Sequence, residues 1–166
     1  MSRTPNVQPA RIASPALAAA LALFVPSGVE AATILARCGP STGESYYFEA
    51  GIAGPGRGGW KKDGIDDGRI TAYINDNQQL DILQRDTTGT KSYLKEGYKV
   101  ALINFSQQDR SLLISAYGEN FSETFLFKVS ELGVGTLAWT ASKVAPLVIR
   151  TSIMTAECGP KYALDR

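Results

Sequence analysis

From Thr33 onward the chain divides into short runs rich in β-branched and aromatic residues, separated by turn-forming clusters, and this spacing constrains the fold more than any other feature. The runs are TILAR, SYYFE, RITAYI, LDILQ, YKVALINF, SLLISAY, TFLFKV, GTLAWTAS and PLVIRTSIMTA. Each has the length and composition of a strand. Within Arg69–Ile74 the side chains alternate, Ile70, Ala72 and Ile74 on one face and Thr71 and Tyr73 on the other. Val100, Leu102 and Asn104 alternate with Ala101, Ile103 and Phe105, which predicts a strand covered on both faces. The separators NDNQQ, DTTGT, KEG, SQQD and GEN are turn chemistry. Little room is left for a helix. The expectation is an all-β domain, an antiparallel meander of about eight or nine strands, closed into a small barrel or folded into a sandwich so that its edges are protected.

The two cysteines bracket this pattern in matching contexts, RCGPS at Cys38 and ECGPK at Cys158. They predict a disulfide joining the first strand to the last. Closing so long a loop is worth on the order of 4–5 kcal/mol in the chain-entropy model. The pair is neither a CxxC redox motif nor a sufficient zinc ligand set. Leu35-Ala36-Arg37-Cys38 superficially resembles a lipobox, but Arg37 stands where that motif needs a small residue.

Residues 1–31 read as a signal peptide of bacterial type. Arg3 and Arg11 supply a basic leader, and Ala13–Val25 an apolar core too short for a membrane span of ~20 residues. Val29-Glu30-Ala31 supplies a small-residue cleavage site. The expected mature chain, residues 32–166, is one β-rich domain with no transmembrane segment, exported to the periplasm or secreted. Of the chain's 17 basic and 16 acidic side chains, Arg3, Arg11 and Glu30 lie in the leader, so the mature domain carries equal numbers of each. Without a positive surplus or a basic stripe, nucleic acid is not an expected partner.

The chain contains no histidine. Ser-His-Asp and Cys-His catalysis and histidine-ligated metals are therefore excluded in their usual forms. No cofactor is called for.

The stretch GIAGPGRGGWKKDGIDDG, Gly51–Gly68, is the most conspicuous candidate site. It lacks the Lys-Ser/Thr ending of a phosphate-binding loop. Tested against the EF-hand pattern, Asp63, Asp67 and Gly68 match positions 1, 5 and 6, while Ile65 and Ile74 occupy positions that need oxygen ligands. An irregular metal site from Asp63, Asp66 and Asp67 stays open, as does a carboxylate pair for hydrolysis. The plainer expectation is a mobile loop and a turn, with Trp60 anchoring the exit against the core. Tyr46, Tyr47 and Phe48 are consecutive, so a strand sends Tyr47 to one face and its neighbours to the other. Both faces packed, or an aromatic surface left for a partner, are the alternatives. Trp139, in TLAWTAS, is expected in the core.

These residues suggest an exported, non-catalytic β-domain binding a protein or glycan of the cell envelope through Trp60, Tyr46, Tyr47 and Arg57. The alternative is a carboxylate-dependent hydrolase or calcium-binding module using Asp63, Asp66 and Asp67.

Overall fold

The computed structural model describes residues 32–131 and 134–160; the expected signal peptide lies outside the described residues. The chain is all-β and antiparallel. Its strands are β1 (Thr33–Tyr47), β2 (Gly59–Ile65), β3 (Arg69–Ile74), β4 (Leu80–Asp86), β5 (Gly89–Ser92), β6 (Lys99–Ser106), β7 (Ser111–Gly118), β8 (Phe121–Val129), β9 (Gly135–Ala145) and β10 (Val148–Cys158). They form one sheet in the order β5-β4-β3-β1-β10-β9-β8-β7-β6, curled into a half-barrel. The meander of hairpins from β6 to β10 is as expected. The long first strand then inserts between β10 and β3, so the first and last strands meet in mid-sheet.

β1 organises the fold. One edge pairs with β10 from Cys38 to Tyr47, and the disulfide links Cys38 to Cys158, which stand opposite each other in the register. Its other edge pairs first with β3, from Thr33 to Cys38, and then with β2, from Ser41 to Tyr47. The changeover falls at Gly39-Pro40, where the register with β10 also shifts. A proline has no N–H to give a ladder, so a bulge is where a long strand tolerates one. Because β2 and β3 both run antiparallel to β1, they are two lengths of one path, broken by the turn at Asp66-Asp67-Gly68.

Alternation then sorts the side chains. Leu112 and Ile114 of β7, Phe125 and Phe127 of β8, Leu137 and Trp139 of β9 and Met154 and Ala156 of β10 all face inward and are buried. Phe125 and Trp139 stack with centroids 5.6 Å apart. Trp139 is thus a core residue, as expected. Ile70, Ala72 and Ile82 fill the opposite wall. This apolar packing occupies one end of the half-barrel; toward the other, the inward positions turn polar.

Two expectations fail. β6 is not covered on both faces: it is the last strand of the sheet, and Leu102, Ile103 and Phe105 are exposed. Alternating apolar residues on both faces describe a strand's composition and not its rank in the sheet. Within the Gly51–Gly68 stretch, Gly59–Ile65 is not loop either, but strand β2, while Asp66–Gly68 form the expected turn.

Candidate functional site

The outer face of the β1–β2 pair carries an aromatic strip. Alternation along β1 points Tyr46 outward and Tyr47 inward, and Phe48, one residue past the strand, continues the outward phase. The register sets Trp60 directly across from Tyr46. The rings meet edge to face, Tyr46 and Trp60 at 5.4 Å and Tyr46 and Phe48 at 5.1 Å between centroids. Trp60 stays 55% exposed and Phe48 48%. Trp60 therefore does not anchor the loop against the core. The inward positions of β2 are taken by Lys61 and Asp63, which face the ring of Tyr47 and the side chains of Ser45 and Arg150.

The expected mobile loop is pinned beside this strip. The Ile52 N–H donates to the Leu147 carbonyl in the β9–β10 turn at 2.9 Å. Gly51 has φ of 59°, and a Cβ there would come within 2.2 Å of the same carbonyl oxygen, so no other residue fits. The Arg57 N–H donates to the Gly54 carbonyl, closing a turn that leaves the Arg57 side chain exposed. Ile52, Val144, Leu147 and Ile153 are exposed around the aromatic strip. Backbone pairing makes them neighbours: Phe48 donates to the Ile149 carbonyl, Ile149 pairs with Val144, and Ile153 pairs with Glu44 two residues before Tyr46. Scattered exposed apolar side chains are ordinary, but a contiguous group is not.

Inside the half-barrel the three aspartates part company. The Asp63 carboxylate accepts from Ser45 Oγ at 2.6 Å and from the Arg150 guanidinium at 2.9 Å. Arg150 also donates to the Tyr47 hydroxyl at 3.3 Å, and Ser45 bonds Ser152 at 2.6 Å. Tyr47 is therefore part of this internal network and not of the outer strip. Asp66 and Asp67 sit exposed in the β2–β3 turn, and the strand's alternation sends Asp63 away from them. Among the described residues no group of three His, Cys, Asp or Glu side chains is placed to hold a metal ion.

The same interior holds a second carboxyl. Glu123 on β8 accepts on one oxygen, Oε2, from the Tyr93 hydroxyl at 2.6 Å and from Trp139 Nε1 at 3.1 Å. Burial pushes its carboxyl above the usual range, against the opposing pull of those two hydrogen bonds and of the Arg150 and Lys143 charges. Burial, then the Glu123 charge, raise the Tyr93 hydroxyl as well. Tyr93 is presented by the turn after β5, which a buried carboxylate fixes: Asp81 accepts from Ser92 Oγ at 2.6 Å, from the Tyr73 hydroxyl at 2.9 Å and from the Leu94 N–H at 3.1 Å. Sequence reasoning passed over Glu123. The signal was in FSETFLFKV, where Glu123 stands in phase with Phe121, Phe125 and Phe127, a charged residue on the inward face of a core strand.

Compared with protein-family models, curated proteins and solved structures, the chain matches none. The reading of its function therefore rests on its own surfaces.

Proposed function

We propose that the protein is an exported, non-catalytic β-domain that binds a protein or glycan of the cell envelope through the outer strip formed by Tyr46, Phe48 and Trp60, with the pinned loop and Arg57 at its border. The observation that carries this is that three aromatic side chains, Tyr46, Phe48 and Trp60, meet edge to face on one outer face while Phe48 and Trp60 stay about half exposed. Aromatic residues with two rotatable angles give large contact area at low entropic cost, and they dominate the energetics of interfaces. The flanking aliphatic side chains Ile52, Val144, Leu147 and Ile153 favour a protein surface over a sugar, whose edges need polar partners. A disulfide between Cys38 and Cys158 suits an oxidising compartment. No helix among the described residues is long and apolar enough to cross a membrane.

The test is affinity capture from an envelope extract by the oxidised protein, side by side with a variant combining Trp60→Ala with deletion of Gly54 to Gly58. A stoichiometric partner held by the wild type and lost by the variant is the expected result. Equal retention of every captured partner by both forms would reject the reading.

A further inference from the structure

The apolar filling of the half-barrel stops at the Phe125–Trp139 layer, and beyond it lies a cavity of about 580 Å³. That is ligand-sized, within the roughly 300–1,000 Å³ of small-molecule sites. Its walls combine two kinds of chemistry. Tyr93, Tyr98, Phe121 and Trp139 line it with aromatic surface, the first three held edge to face around one another at 4.2–6.2 Å. Glu123 reaches the same space. Its two donors both bond Oε2, so Oε1 accepts no hydrogen bond from the described residues. Oε1 is not one of the buried unpartnered polar atoms and opens to the cavity, where a donor on a ligand can reach it.

Charge decides what that is. Arg150 pairs with Asp63 across the cavity wall at 2.9 Å, so the two cancel in the net count although the Arg150 charge is also felt by Glu123. What remains is four carboxyls, Asp86, Glu96, Glu119 and Glu123, against two ammonium groups, Lys91 and Lys143. Lys143 is exposed at the mouth, able to turn its charge to water. Aromatic faces beside a carboxylate make the environment that stabilises an organic cation, by ring quadrupole and ion pair together.

The geometry points to this cavity as a binding site for a small organic ammonium ligand, its charged nitrogen on Glu123 Oε1 and its body against Tyr98, Phe121 and Trp139. The site is inside the half-barrel, separate from the outer aromatic strip, and its test is independent of that strip's partner.

Benzylamine and benzyl alcohol, alike in shape and different in charge, are the probes, titrated into the intact oxidised protein by calorimetry and by amide chemical-shift mapping. Benzylamine is expected to bind at least about tenfold more tightly than the alcohol, with shifts at Gln84, Asn120 and Phe121. Glu123→Gln keeps an acceptor for Tyr93 and Trp139 but removes the charge, and is expected to abolish that preference. Ala145→Phe, which leaves Glu123 intact and narrows the mouth, is expected to weaken both probes and serves should Glu123→Gln not fold. Equal affinity for the two probes, an unchanged preference in Glu123→Gln, or undiminished binding in folded Ala145→Phe would each overturn the assignment.

Discussion

Glu123 is the residue on which the interior turns. Its folded carboxyl holds a proton more tightly than in the unfolded chain, where its value lies near 4.5. Between that value and the raised one the native state binds more protons, so stability attributable to Glu123 is present at low pH and lost as pH rises. Glu123→Gln preserves the hydrogen bonds from Tyr93 and Trp139 while removing the titration. Denaturant unfolding of both proteins at several values from roughly pH 4 to 8 is expected to show the wild type losing stability relative to the variant as pH increases. Parallel curves would mean that the carboxyl is as well solvated in the fold as outside it. Trp60 shows the opposite use of a large side chain at the same scale. It is left half in water because Lys61 and Asp63 hold the inward phase of its strand.

Among the elements, β1 carries the most demanding geometry, because it pairs along both edges over most of its length. At Gly43 a Cβ would stand 2.0 Å from the Ile153 carbonyl oxygen and 2.8 Å from the Met154 Cα, both backbone atoms of β10 that cannot step aside. Gly43→Val is expected to cost about 1–3 kcal/mol by overpacking, or to prevent folding, read as a lowered denaturation midpoint at unchanged slope. A neutral outcome would show that β1 and β10 pair less closely at this point. Much at this scale was legible from sequence. The period-two runs predicted the strands, and the cysteine pair predicted that the first would meet the last. β2 was missed because GWKKDGI has no apolar face: its inward residues Lys61 and Asp63 serve a polar interior, so the alternation that marks a half-buried strand is absent. The exposed place of β6 was hidden for another reason, since strand order is settled by long-range pairing that local periodicity does not encode. The aromatic strip lay between these cases. Tyr46 and Phe48 could be put on one face from their spacing, but their union with Trp60 needed the register of a strand the sequence did not announce.

For the molecule as a whole, the disulfide joins the two strands in the middle of the sheet, across a sequence separation of 120 residues. The chain-entropy model assigns this crosslink on the order of 4–5 kcal/mol. A Cys38→Ser/Cys158→Ser double variant is expected to lose about that much in denaturant unfolding, retaining the sheet at low temperature and the same outer strip. A loss below about 1 kcal/mol would place the closure energy in the β1–β10 ladder itself. In this architecture the half-barrel serves two surfaces at once. Its packed end and its crosslink hold β1 in place, and β1 sends Tyr46, with Phe48 just beyond it, to one side while Ser45 and Tyr47 face the interior network on the other. Binding surfaces held on strands of a scaffold are more exactly positioned than those on free loops.

Hydroxyl-radical footprinting of Tyr46, Phe48 and Trp60, in the purified protein and in the intact envelope, tests the central claim most directly. Tyr117, exposed on β7 and distant in the sheet, is the internal reference. If the outer strip is a binding surface, all three residues are oxidised in the purified protein and protected in the envelope while Tyr117 reacts equally in both. Equal oxidation of the strip and of Tyr117 in the two settings would contradict it.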